Sequence, residues 1–215
     1  MIQGAIFDLD GLLVDTQKIY QIGMKEIGKK YEIAMTDSLA KEYTGASPDH
    51  IAKEIELKFS VDGVAYINDV LEYVAKQELN DLSLKPGVKE MLTYLQSFKI
   101  PMAVASGSPR ALIDRNLKLV DIDAYFSVIV STQEVEHGKP APDIFLEAAH
   151  RLNVDPKHCF VFEDAINGVH AGVSAGCKTI MIPDRLKPEK DFYKTTYGIF
   201  DNLHAAMNQI KCMME

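Results

Sequence analysis

Asp8-Leu9-Asp10-Gly11 closes an apolar run, Ala5-Ile6-Phe7, and sets two carboxylates one residue apart where the chain can turn sharply. In extended backbone residues i and i+2 share a side, so Asp8 and Asp10 are expected to project together while Leu9 turns into the core. Two carboxylates in one small space repel unless a cation neutralises them or one keeps a proton. Either condition suits metal binding or acid/base work. Gly11 permits an abrupt exit from the strand. Taken alone, the pattern fits a solvated turn as well as it fits a site.

Three later stretches carry comparable chemistry at the ends of apolar segments. Met102-Ala103-Val104-Ala105 leads into Ser106-Gly107-Ser108, where a hydroxyl and backbone N–H groups ahead of a helix suit a phosphate oxygen. The alternative there is a helix N-cap with its turn. His137-Gly138-Lys139-Pro140-Ala141-Pro142-Asp143 fixes the path of a lysine between a glycine and two prolines, a composition that ordinary solvated loops share. His137 itself reads as a surface residue. Cys159-Phe160-Val161-Phe162 ends in Glu163-Asp164, adjacent acids that are costly unless they face a cation or water. Capping of the following helix by Asp164 is the other reading. The order is more informative than any member: acids after one strand, a serine after the next, then a lysine, then two acids.

These groups meet only if the elements before them run side by side. From about Leu84 the pattern alternates, with helical stretches at Val88 to Phe98, Arg110 to Leu119, Asp143 to Leu152 and Ala165 to Ala175. Between them lie strand-like segments Pro101 to Ser106, Ser127 to Ser131, His158 to Glu163 and Lys178 to Pro183, with Gly198 to Phe200 near the end. Such alternation predicts a doubly wound α/β core with a parallel sheet, in which residues following the strands converge on one edge. Gly168, Gly172 and Gly176 recur every fourth residue and predict a helix face that approaches the sheet closely. The Gly-x-Gly-x-x-Gly arrangement of a nucleotide loop is absent.

Residues 16–82 break the rhythm with helical patterns and no convincing strand. Ser47 as N-cap and Pro48 at the first helical position predict one helix start, and Tyr66 to Leu79 predicts another helix. The organisation expected is therefore an α/β core of residues 1–15 and 83–215 with a helical insertion, 16–82, placed to act as a lid. Val14 to Gln17 and Asn80 to Lys85 are the nearest thing to linkers, and no internal repeat or low-complexity segment stands out.

With 215 residues, 47% of them hydrophobic, the chain can bury an ample core. A formal net charge of −8 argues against nucleic acid or an anionic membrane as partner, so an anionic substrate must be held by local charge or a metal. No apolar run approaches a membrane span and the N-terminus has no signal-type pattern; the expected location is cytoplasmic. Cys159, Cys177 and Cys212 lack metal-ligand spacing and read as free thiols. Met207, Met213 and Met214 read as packing residues, and nothing points to an oligomer, so a monomer is expected.

Asp8-Leu9-Asp10-Gly11, Ser106, Lys139-Pro140 and Glu163-Asp164 together resemble the four motifs of the haloacid-dehalogenase-like (HAD) hydrolase superfamily, and the resemblance spans the whole chain. The insertion is similar to the C1 cap of the subgroup that contains β-phosphoglucomutase, phosphoglycolate phosphatase and pseudouridine 5'-phosphatase. The resemblance implies a Mg²⁺-dependent phosphatase acting on a small phosphorylated metabolite, a sugar phosphate or a nucleotide-like monophosphate. Asp8 would be the nucleophile that forms an aspartyl-phosphate, and Asp10 the general acid and base. The metal would be held by Asp8, the Asp10 backbone carbonyl and Asp164, with Glu163 supporting from behind. Ser106, Gly107 and Lys139 would bind the transferring phosphoryl group.

Two other functions compete. A sugar-phosphate mutase of the β-phosphoglucomutase type uses the same core, but where such mutases carry a cap histidine and arginine this chain has Tyr20 and Gly45-Ala46-Ser47-Pro48, which cannot clamp a second phosphate. A phosphorylatable receiver-type signalling module also uses acids, a hydroxyl and a lysine on an α/β sheet, yet does not insert helices directly after the first strand. Cap positions such as Tyr20, Lys41, Thr44, Gly45 and Lys53 could touch a leaving group but read more readily as ordinary helix-surface or packing residues.

Overall fold

The computed structural model describes residues 2–43, 48–184 and 191–214, with side chains described through 211. It divides into two compact units, Asp15–Ser83 and the pair of segments Met1–Val14 and Leu84–Glu215.

The first unit is helical: α1 (Thr16–Lys30), α2 (Asp37–Glu42), α3 (Pro48–Phe59) and α4 (Gly63–Asp81). Apolar residues at helical spacing, among them Ile19, Met24, Ile51, Ile55, Tyr66 and Val70, form its core. The Tyr66 hydroxyl, carried inside by its ring, donates to the Met24 carbonyl at 2.8 Å. Asp62 caps α4 by accepting from the Ala65 N–H. Gly63 is obligatory, because a Cβ there would fall 1.9 Å from the Ala52 carbonyl oxygen of α3. Pro48 opens α3 as expected, whereas the proposed cap Ser47 lies outside the described residues, as do Thr44, Gly45 and Ala46. The expected linkers are shorter than the composition suggested: Thr16 and Gln17 already belong to α1, and Asn80 and Asp81 to the last turn of α4.

The second unit is α/β. Its strands are β1 (Gly4–Phe7), β2 (Met102–Ser106), β3 (Val128–Ser131), β4 (Cys159–Glu163), β5 (Lys178–Met181) and β6 (Gly198–Ile199). They form one sheet in the order β3-β2-β1-β4-β5-β6, every pair parallel. The helices are α5 (Val88–Ser97), α6 (Arg110–Leu119), α7 (Asp143–Leu152), α8 (Ile166–Ser174), a short α9 (Phe192–Thr195) and α10 (Leu203–Met214). On one face Ile144, Phe145 and Ala148 of α7 and Ala171 of α8 pack on Ile6, Ala103, Val130 and Val161. Alternate strand residues turn to the other face, where Phe7 stacks on its register partner Phe162 at 4.6 Å. Helix α7 is favoured at both ends, with Asp143 in its first turn, His150 and Arg151 in its last, and left-handed Asn153 as C-cap.

The α/β elements lie where the sequence places them, within a few residues. Helix α10 was not among the expected elements, although Leu203, Ala206, Met207 and Ile210 are buried at helical spacing. Met207 fills the core as expected, while the side chains of Cys212, Met213 and Met214 lie outside the described residues. Among the described residues no helix is long and apolar enough to cross a membrane.

Candidate active site

The chain builds β1, β2 and β3 outward in one direction, then returns to lay β4 on the other side of β1. Beyond the carboxyl ends of β1 and β4 this reversal leaves a crevice, the usual ligand position in open α/β sheets. Asp8 follows β1, and Glu163 ends β4. The Asp8 N–H still bonds to the Phe162 carbonyl at 3.0 Å, so sheet pairing itself sets its position. Immediately afterwards the chain turns: Leu13 and Val14 N–H both bond to the Leu9 carbonyl, and Gly11 at φ +92° occupies backbone space that favours glycine. Leu9, Leu12 and Leu13 are fully buried and pin this turn, so Asp10 lies on a rigid bend rather than on a strand.

Lys139 joins the two sides of the crevice. Its Nζ lies 2.5 Å from Asp8 Oδ1, 2.5 Å from Glu163 Oε1 and 3.1 Å from the Ala105 carbonyl, above the Phe145 ring of α7. An ammonium has three hydrogens, and these acceptors use all of them. Burial would lower its pKa, but the Asp8 and Glu163 charges outweigh that and raise it, so the lysine stays protonated. Glu163 is held from both ends: its Oε2 accepts from the Asp164 N–H at 3.1 Å and the Ala165 N–H at 3.3 Å.

Asp8 responds in the opposite sense. Burial pushes its carboxyl up to about 8, Lys139 working against the rise and the Glu163 and Asp10 charges adding to it. Asp164 is raised well above the usual carboxylate range, again chiefly by burial and then by Asp8, Glu163 and Asp184. One oxygen from each of Asp8, Glu163 and Asp164 falls within 4.8 Å of the others. Three carboxylates against one ammonium leave two negative charges uncompensated when all are ionised, and hard oxygen donors in that balance fit a divalent cation such as Mg²⁺.

The carboxyl end of β2 supplies hydroxyls. Ser106 Oγ, fully buried, donates to Asp10 Oδ2 at 3.2 Å and accepts from the Ser108 N–H at 3.0 Å. Ser108 Oγ donates to the same Asp10 oxygen at 2.7 Å. Ser106 is thus no helix N-cap; Pro109 holds that position in α6. Gly107 lies between the two serines, exposed, with nothing within 4 Å of where a Cβ would be.

The motif residues at the strand ends therefore gather at one edge, Asp8, Glu163 and Lys139 in one bonded set and Asp10 and Ser106 in another. Two readings are corrected. Asp164 is not the N-cap of α8, a position Ala165 holds; ahead of that helix Glu163 accepts from the Asp164 and Ala165 N–H groups. Gly176 is not part of a packing face: it lies beyond α8 at φ +77° with open space around its missing Cβ, and turns the chain toward β5. Gly168 and Gly172 do allow close approach, since a Cβ would meet the Glu163 carboxyl at 1.9 Å and Thr179 Oγ1 at 2.6 Å. Ser108 was missed as a site residue; its i, i+2 spacing from Ser106 was the available signal. His137 is exposed and bonded to Asp143, and Cys159 and Cys177 are buried free thiols, away from this chemistry.

A family model described as haloacid dehalogenase-like hydrolase matches residues 5–182. A Drosophila melanogaster protein named "Probable pseudouridine-5'-phosphatase" is 34% identical over 205 residues, covering 88% of this chain and 86% of its own. The fructose-1-phosphate phosphatase of Escherichia coli is 33% identical over 183 residues, 82% of this chain and 94% of its own. Among solved structures, a β-phosphoglucomutase from Clostridium difficile superposes with a TM-score of 0.73 at 24% identity, covering 99% of this chain and 100% of that one, a likeness of fold.

Proposed function

The chain belongs to the haloacid dehalogenase-like hydrolase family, and from that premise we propose that it is a phosphatase of small phosphorylated metabolites working through an aspartyl-phosphate. The observation that carries this reading is the Lys139 ammonium shared by Asp8 and Glu163 at the switch-point crevice. Phosphate monoesters hydrolyse so slowly unaided that acceleration reaches ~10²¹-fold, which calls for a nucleophile, charge neutralisation and a proton relay together.

In this reading a phosphoryl oxygen takes the place of Asp8 on Lys139, the Asp8 carboxylate attacks phosphorus, and the ester P–O bond breaks as Asp10 protonates the leaving alkoxide. Water then attacks the aspartyl-phosphate, Asp10 takes its proton, and the bond between Asp8 and phosphorus breaks to release phosphate. Ser106 and the Gly107 N–H hold phosphoryl oxygens. Asp8, the Asp10 carbonyl and Asp164 would hold Mg²⁺, with Glu163, whose oxygens are committed to Lys139 and two N–H groups, fixing the set from behind. A bound divalent ion supplies charge neutralisation between carboxylate and phosphate dianion. A nucleophile must be ionised, and a cation beside Asp8 would offset the burial that raises its carboxyl.

A sugar phosphate or nucleotide-like monophosphate is the proposed substrate class, supported by the relatives named for fructose 1-phosphate and for a pseudouridine phosphate. The mutase reading has less support: the likeness to a β-phosphoglucomutase is one of fold, and Tyr20 stands where such mutases carry histidine. Phosphate release should be measured across sugar phosphates, nucleoside monophosphates, pseudouridine 5'-phosphate and phosphoglycolate. Release from one of them with a trappable phosphoenzyme is expected. Isomerisation of β-glucose 1-phosphate without phosphate release would overturn the phosphatase reading.

A further inference from the structure

Ser108 stands outside the four motif positions, yet it makes the shortest bond to the group that must handle the proton. Two hydroxyls converge on Asp10 Oδ2, Ser108 at 2.7 Å and Ser106 at 3.2 Å. A serine hydroxyl has one hydrogen, so Ser106 cannot donate to Asp10 and to a phosphoryl oxygen at once. When Ser106 turns to substrate, Ser108 is the hydroxyl left holding Asp10. Its own place is fixed at both ends of the residue: the Ser108 N–H bonds to Ser106 Oγ at 3.0 Å, and the Ser108 carbonyl accepts from Ser131 Oγ at 2.7 Å. Ser131 is fully buried at the end of β3, where its own N–H bonds to Glu134 and its hydroxyl accepts from the Gln133 N–H. A bonded path therefore runs from the edge strand through Ser108 to Asp10.

We propose that Ser108 is the positioning residue of the proton-transfer step, holding Asp10 through Oδ2 while Oδ1 delivers the proton to the leaving oxygen. The inference rests on the phosphatase reading above and adds a residue to it. Ser108 does not touch the phosphoryl group; it acts through Asp10. This predicts a dependence on the leaving group. An alkoxide cannot depart without a proton, whereas 4-nitrophenolate can, so a misplaced Asp10 slows the first kind of ester and spares the second.

The test compares the parent, Ser108→Ala and Ser108→Thr in Mg²⁺ buffer on 4-nitrophenyl phosphate and on an alkyl ester the parent hydrolyses. Aspartyl-phosphate formation is followed by rapid quench, so that the first step is read separately from the second. Ser108→Ala is expected to slow phosphoenzyme formation from the alkyl ester by about tenfold or more, within the range that general acid catalysis commands. KM should stay nearly constant and formation from 4-nitrophenyl phosphate should change by less than about threefold, while Ser108→Thr, which keeps the hydroxyl, restores most of the difference. Equal slowing of both esters, no slowing, or a faster alkyl reaction overturns the positioning role and leaves the phosphatase reading intact. A parent that releases phosphate neither from 4-nitrophenyl phosphate nor from any alkyl ester in the substrate screen overturns both.

Discussion

Burial raises the Asp8 carboxyl against the pull of the Lys139 ammonium, and this makes its ionisation visible in stability as well as in catalysis. With the folded pKa near 8 and the ordinary value at 3.8, the folded state keeps a proton that the unfolded chain releases. The associated stabilisation is complete below the ordinary value and is lost as pH rises through the folded one. In EDTA the melting temperature of the parent should therefore fall between about pH 4 and pH 8, with Asp164 contributing in the same sense. Asp8→Asn should flatten that slope and abolish turnover while leaving the fold intact; an unchanged slope, or activity near the parent's, would contradict the assignment. Lys139→Ala removes the ammonium that both Asp8 and Glu163 use, and should cost roughly 3 kcal/mol in the transition state, about a hundredfold in kcat/KM. The same variant strands two buried carboxylates and should melt at lower temperature, a measurement separable from the kinetics by circular dichroism.

At the scale of elements, the site depends on how closely α8 meets the end of β4. Gly168 leaves no room for even one carbon beside the Glu163 carboxyl, so Gly168→Ala must displace either the helix or the glutamate that bridges Lys139 to the start of α8. Activity should drop by at least tenfold, about the cost of one misdirected charge-assisted bond, with loss of thermal stability. Gly176→Ala is the contrast: it only strains a left-handed residue, and should cost about 1 kcal/mol with activity retained. If both variants behave alike, the close approach at Gly168 is not what shapes the site. The regular spacing of the glycines was legible in the sequence, but their separate duties were not, because one repeat of four residues runs on past the end of the helix. Asp164 shows the same limit: an acid before a helix is a sound capping signal, and only the backbone path reveals that Ala165 is the N-cap and that Glu163 accepts from the N–H groups leading into the helix.

For the whole molecule, a net charge of −8 means that no general field draws in a phosphate dianion; in the proposed reading attraction comes from Lys139 and a cation held by the acids beside it. Chelation should therefore stop turnover and Mg²⁺ restore it, and Mg²⁺ should raise the melting temperature more at pH 8 than at pH 5, because ion and protons compete for the same carboxylates. Full activity in metal-free buffer would reject the metal. By itself the sequence determined the parallel α/β core, the helical character of residues 16–82 and which acids, hydroxyl and lysine end up at the strand ends, since strand period, helix period and turn chemistry are local. Only the tertiary structure decided that Lys139 serves Asp8 and Glu163 together, that Ser108 rather than Ser106 makes the shorter bond to Asp10, and that Gly168 makes room for Glu163. Those facts are distances between residues far apart in the chain, set by sheet order and close packing, and no local pattern encodes them.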